Sequence, residues 1–201
     1  MNHLAPLSKL RNRYFSLRHG ESTANVAGLI VSLPEHGCHD YSLTEHGQQQ
    51  VRRSLQQPQP FKPDQLAIYS SDFARAKQTA DLAAQELGVA NVECTALLRE
   101  RNFGELELHN DSAYRDIWQL DAVDADHHQS RVESVNQVLE RLTRLIHSLE
   151  QHHSGRDILL VSHGDPLQIL QTAFMRADAR KHRVIVPPLH NAEVRQLELY
   201  A

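Results

Sequence analysis

Arg18-His19-Gly20-Glu21-Ser22-Thr23-Ala24-Asn25 follows directly on the apolar run Tyr14-Phe15-Ser16-Leu17, and this junction decides how the rest of the chain is read. The run is expected to form a buried β-strand. A strand that ends in Arg-His-Gly delivers two side chains to its carboxyl edge, where open α/β sheets place their ligand sites. Arg18 brings a permanent charge and a planar fork of donors that matches phosphate oxygens. His19 brings a nitrogen that can be a nucleophile near neutral pH. Gly20 is expected to permit a tight turn and the close approach of an anion to main-chain N–H groups. Taken alone, the tripeptide is equally consistent with a strand end and a surface turn.

A second junction of the same kind changes that balance. Asp157-Ile158-Leu159-Leu160-Val161 reads as a strand covered on both faces and runs into Ser162-His163-Gly164. In a parallel sheet, two strands ending in His-Gly can lie side by side and turn both imidazoles to one pocket. Between them Leu66-Ala67-Ile68-Tyr69 reads as a third strand. It enters a helix expected over Asp72 to Leu87, with Asp72 as N-cap and Arg75 in the first turn. There a cation adds to N–H groups that already favour anions.

The remaining elements alternate. After the first strand a loop is expected through Asp40, then a polar helix from Leu43 to Gln57 and a connection rich in Pro58, Pro60 and Pro63. Gly88 suits the C′ position of the second helix. Asn91 to Thr95 reads as a short strand and Asp111 to Gln119 as a short helix. Glu133 to His153 carries Val135, Val138, Leu139, Leu142, Leu145, Ile146 and Leu149 at helical spacing. The strand Ile158 to Val161 leads to a helix from Pro166 to Met175, and Val184 to Val186 and Val194 to Leu199 read as closing strands. This alternation predicts a three-layer α/β/α sandwich with a mostly parallel central sheet.

Composition fits one domain over residues 1–201, since no shift marks an internal boundary. The net charge of −4 argues against a nucleic-acid partner. No long apolar run predicts a signal peptide or membrane contact, so a cytoplasmic location is expected. Cys38 and Cys94 are expected to be reduced. Among 14 histidines, His36-Gly37-Cys38-His39-Asp40 is the densest group of metal-ligand types, yet it lacks a second pair at zinc-finger spacing, so no metal is expected. His127-His128 and His152-His153 read as polar loop and helix-end residues.

The chain resembles the histidine phosphatase superfamily, in its phosphoglycerate mutase-like branch and broad-specificity phosphatase type. The resemblance rests on Arg18-His19-Gly20-Glu21-Ser22 with Asn25, Leu43-Thr44-Glu45-His46-Gly47, Ser70-Ser71-Asp72 with Arg75-Ala76 and Gln78-Thr79-Ala80, and Leu98-Arg99-Glu100-Arg101-Asn102-Phe103-Gly104. It continues through Glu133-Ser134 and Val161-Ser162-His163-Gly164 to Asn191. These matches keep the family's order along nearly the whole chain.

The resemblance implies that His19 takes the phosphoryl group as phosphohistidine, with its tautomer held by a nearby Gly carbonyl or by a side chain such as Ser162. It implies that Arg18, Arg75 and His163 surround the non-bridging oxygens. Asn25, Ser22 and Gly164 are expected to bind substrate. Glu100 is expected to be the general acid, against the alternative of a solvated carboxylate paired to Arg99 or Arg101. Asp165 is the rival acid, although Asp165-Pro166 also reads as N-cap and N1 of a helix. A small phosphorylated substrate is expected, no cofactor is implied, and a homodimer is left open.

Glu105-Leu106-Glu107-Leu108 stands where relatives often carry Glu-Gly, so the loop that places Glu100 is expected to bend differently. Two further departures favour hydrolysis over phosphoglycerate mutase-type transfer, the first being the loop Val26 to Pro34 where mutases carry a Thr-Gly pair. Leu108 to Arg131 is short and acid-rich where mutases carry a longer insertion with an Arg pair, and a mutase must exclude water while its intermediate reorients. A non-catalytic phosphate-binding module is disfavoured because the implied catalytic set is complete.

Overall fold

The computed structural model describes residues 1–200. The first apolar run forms β1 (Arg13–Arg18), and the segment expected to be loop holds two short helices, α1 (Thr23–Ala27) and α2 (Pro34–Gly37). The first long helix, α3 (Glu45–Gln56), begins where Thr44 Oγ1 accepts the Gly47 N–H at 2.9 Å. Then follow β2 (Leu66–Ser70), α4 (Ala74–Leu87), β3 (Val92–Cys94) and α5 (Tyr114–Asp121), the last entered through a 3-10 turn at Asp111–Ala113. The heptad-like spacing from Glu133 becomes α6 (Val135–His152), started by a capping box between Ser134 and Gln137. The chain closes with β4 (Asp157–Ser162), α7 (Gly164–Phe174), α8 (His182–Ile185) and β5 (Val194–Leu197).

The strands lie in the order β3-β2-β4-β1-β5, parallel except for β5 against β1. Side chains alternate across this sheet as a two-residue period requires. Tyr14, Ile158 and Leu160 pack with Leu142, Ile146, Ile169 and Leu170 of α6 and α7. Phe15, Leu17, Leu159 and Val161 pack on the other face with Val51 of α3 and Ala76 and Ala80 of α4. Two cores and one sheet make the three layers. The register pairs Arg18 with Ser162, so the two His-Gly junctions emerge side by side.

Three local expectations are corrected. Val184 to Val186 is not a strand: the turn α8 stands there, with Val184 79 % exposed and His182 fully buried. A run of three residues carries no usable period, and His182 is pulled inward by polar partners described below. Asp72 is not the α4 N-cap; Phe73 holds that position without a side-chain cap, and Asp72 makes a two-pronged ion pair with Arg99 at 2.7 and 2.6 Å. Asp165 is not an N-cap either. The helix α7 starts two residues earlier, with His163 as N-cap and Asp165 in its first turn.

Candidate active site

The carboxyl end of β1 delivers Arg18 and His19 to a pocket of about 240 Å³, and the ends of β4 and β2 place His163 against His19 and Ser71 against His163 just behind it. Both imidazoles are buried, with ring centroids 5.1 Å apart. The His19 Nδ1–H donates to the Gly20 carbonyl at 2.7 Å, leaving the Nε2 lone pair free to accept from Arg75 Nε at 3.2 Å. Of the two tautomer holders expected, the glycine carbonyl is the one present. Ser162 donates instead to the Leu98 carbonyl at 2.6 Å, tying β4 to the segment that carries Glu100. Asn191 Nδ2 donates to the His19 carbonyl, so the backbone on both sides of the imidazole is held.

Burial, followed by the positive charges of Arg75 and Arg18, keeps the His19 pKa well below its ordinary value. The ring is therefore neutral at pH 7 with a lone pair on Nε2. His163 is depressed likewise by burial and then Arg75. Its Nε2 lies 3.0 Å from Ser71 Oγ, which already accepts the Phe73 N–H. With the serine hydrogen donated to Nε2, the imidazole proton sits on Nδ1, on the side of Glu100.

Three buried nitrogens at this site have no hydrogen-bond partner: Arg18 Nε, Arg75 Nη1 and His163 Nδ1. Their neighbours on the same side chains are occupied, by the Leu189 carbonyl for Arg18, and by His19 and the Val31 carbonyl for Arg75. Unpaired buried donors are costly and uncommon. Carried by side chains that adjoin His19 and its neutral imidazole lone pair, such unpartnered nitrogens suit an oxyanion. The N-terminus of α7 at Gly164 faces the same space.

Glu100 is 9 % exposed and receives the Arg101 backbone N–H on Oε1 at 3.0 Å. Its Oε2 lies 3.9 Å from both Arg75 Nη2 and His163 Nδ1. Burial raises its pKa to about 7 against the opposing charge of Arg75, with the Asp165 carboxylate adding to the rise. Neither arginine expected as a surface partner pairs with this carboxyl: Arg99 goes to Asp72, and Arg101 to Asp121 and Asp165. Burial alone would raise Asp165 as well. His182, Arg101 and Arg183 instead hold it well below the usual carboxylate range, so the two carboxyls beside the pocket differ in protonation at neutral pH.

The substrate-binding expectations divide. Asn25 and Gly164 line the pocket. Ser22 is fully buried and acts locally, capping α1 by accepting the Asn25 N–H and donating to Asn25 Oδ1 at 3.1 Å. Gly20 has a reason other than anion approach: a Cβ there would lie 2.5 Å from the Gly47 carbonyl of α3. The sequence reading missed the far wall, made by Tyr114 and Trp118 of α5, Gln168, and Arg183 of α8, whose guanidinium lies 3.5 Å from the Trp118 ring centroid. The apolar face of α5 was the available signal. The misassigned strand at Val184 hid Arg183.

The sequence profile of the histidine phosphatase superfamily, branch 1, matches residues 15–201. Among curated relatives, the probable phosphoglycerate mutase GpmB of Erwinia tasmaniensis is 29% identical over 175 residues, 84% of this chain and 77% of that protein. A metal-independent phosphoserine phosphatase of Arabidopsis thaliana is 26% identical over 169 residues, 81% of this chain and 68% of its own. Among solved structures, a mycobacterial glucosyl-3-phosphoglycerate phosphatase superposes with a TM-score of 0.74 at 25% identity, covering 94% of this chain and 90% of that one.

Proposed function

The chain belongs to the histidine phosphatase superfamily, and we propose that within it the protein is a metal-independent phosphomonoester hydrolase acting on small phosphorylated metabolites through His19. The observation that carries this reading is the presence of three unpartnered buried nitrogens, Arg18 Nε, Arg75 Nη1 and His163 Nδ1, on the side chains that adjoin a neutral His19 imidazole. In the first half-reaction the His19 Nε2 lone pair forms a bond to phosphorus while the ester P–O bond breaks. Glu100, raised to about 7, gives its proton to the departing oxygen. The charge spread over the phosphoryl oxygens falls on the donor cradle. In the second half-reaction the Glu100 carboxylate takes a proton from water, the water oxygen bonds to phosphorus, and the N–P bond breaks to release inorganic phosphate and restore His19.

The pocket volume of about 240 Å³ is below the range usual for drug-sized ligands, which supports a small alcohol half. Incubation with p-nitrophenyl phosphate, and separately with 3-phosphoglycerate plus 2,3-bisphosphoglycerate, tests the reaction type. Phosphate release in both is expected. Isomerisation without net release makes the protein a mutase, and neither reaction makes it a binding module. Rapid quench should trap an acid-labile phosphoprotein in the native enzyme and none in His19→Ala; label retained in that variant rejects His19 as the nucleophile.

A further inference from the structure

Behind the pocket lies a buried ionic cluster that the proposed chemistry does not use. The Arg101 side chain is completely buried. Its Nη1 and Nη2 each reach Asp121 at 2.7 Å, Nη1 also reaches Asp165 Oδ2 at 3.2 Å, and Nε donates to the Glu133 carbonyl at 2.7 Å. Asp121, at the end of α5, is fully buried and is met by His127 Nε2 at 2.7 Å, so His127 is more than a loop residue. His182 Nε2 stands 3.5 Å from Asp165 and 3.9 Å from Asp121, and Arg183 stands 3.6 Å from Asp165. One guanidinium thereby joins α5, α7 and the start of α6.

Stability alone is a poor account of such an arrangement, because taking ions out of water costs about as much as their pairing returns, and apolar replacements are often as stable. Position supplies a better one. Arg101 follows Glu100 in the chain, and its own backbone N–H is the donor that holds Glu100 Oε1. With its guanidinium fixed at Asp121, Asp165 and the Glu133 carbonyl, Arg101 has its Cα held in place, which restricts rotation of the Glu100–Arg101 peptide. The N–H therefore keeps its aim, and the carboxyl keeps Oε2 turned toward Arg75 and His163, 3.9 Å from each. The adjacent Asn102 carbonyl accepts the Glu133 N–H at 2.7 Å, which stiffens the same peptide run from the other side.

We propose that Arg101 is a positioning residue for the Glu100 carboxyl and that Asp121 is the anchor which fixes its guanidinium. The inference rests on Glu100 being the general acid of the hydrolase reading above.

Leaving-group chemistry separates positioning from general support. Glycerol phosphate needs a proton on its departing alkoxide, whereas p-nitrophenyl phosphate releases a phenolate that leaves without one. The ratio of the two turnover numbers is measured for the native enzyme and for Glu100→Gln, Arg101→Lys, Arg101→Met and Asp121→Asn. Glu100→Gln should lower the ratio by about a hundredfold or more. Arg101→Met should lower it by more than about tenfold, and Asp121→Asn, which keeps the buried cation, by about tenfold. Arg101→Lys should recover part of the loss. Should Arg101→Met fail to fold, the lysine and Asp121→Asn variants carry the test. An unchanged ratio in the folded Arg101 and Asp121 variants, beside a collapsed ratio in Glu100→Gln, overturns this inference alone. An unchanged ratio in Glu100→Gln overturns the acid assignment beneath it.

Discussion

Arg75 donates its Nε–H to the Nε2 lone pair of His19 at 3.2 Å, so the nitrogen proposed to reach phosphorus is capped by a guanidinium in the free protein. This contact orients the ring and, with burial as the larger cause, disfavours its protonation. An incoming phosphoryl group has to take the place of the lone-pair contact, while Arg75 Nη1 is already unpartnered and available to it.

The same contact predicts a titration. By nitrogen-detected NMR, His19 should stay neutral with its proton on Nδ1 from pH 8 down to pH 5. In Arg75→Met the loss of the second-largest cause should move its pKa upward, while burial keeps it below the ordinary value. A native His19 that titrates near 6.5 defeats the proposed resting state.

What the sequence made legible was whatever local pattern alone decides. The strands β1 and β4 were readable because both are apolar on each face, and their ends carry the residues that meet at the pocket. Helices with a wide apolar stripe, such as α6, were readable within two residues at each end. The losses occur where tertiary partners overrule local preference. Asp72 and Asp165 both look like helix caps in the chain, but arginines distant in sequence, Arg99 and Arg101, claim their carboxylates. His182 and Arg183 are drawn to Asp165 and Trp118 across the pocket, contacts that no short-range period encodes.

Positive charge at the site comes from Arg18, Arg75, Arg183 and the α7 N-terminus, with neutral His163 beside them, and such a set can meet a phosphate dianion without a metal ion. Activity toward p-nitrophenyl phosphate should therefore be unchanged, within about twofold, after exhaustive EDTA treatment. A loss that Mg²⁺ or Zn²⁺ restores contradicts metal independence.

Gly20 and Gly88 allow a paired test of why each glycine is present. In Gly20→Ala the new methyl would meet the Gly47 carbonyl at 2.5 Å, backbone against backbone. Overpacking of that kind costs about 1–3 kcal/mol, and any shift moves the carbonyl that orients His19. A lower melting temperature together with a lower kcat is expected. Gly88 has φ +68 and open space around it, so Gly88→Ala should cost about 1 kcal/mol with kcat unchanged. Equal effects of both substitutions on kcat contradict the account of Gly20.

Glu100 ties activity to a stability cost, and the sign can be worked out. In the unfolded chain a glutamate ionises near 4.5, whereas in the folded protein burial holds its proton up to about 7. Below pH 4.5 both states carry the proton and folding is unaffected. Between 4.5 and 7 only the folded state keeps it, so the stability due to protonated Glu100 is lost as pH rises, and above 7 the folded protein bears a buried carboxylate. The full displacement corresponds to about 3 kcal/mol. Glu100→Gln cannot ionise, and contributions from all other groups cancel in the comparison. The variant should therefore melt at a higher temperature than the native protein at pH 8, by roughly 5–10 °C for a chain of this size, with the gap shrinking toward pH 4.5. The native enzyme should also lose alkyl phosphate turnover above pH 7 as the acid deprotonates, a limb absent from the variant. A melting-temperature gap that is constant across this pH range would mean that Glu100 ionises normally in the folded protein, and the proton proposed for the leaving group would have to come from elsewhere.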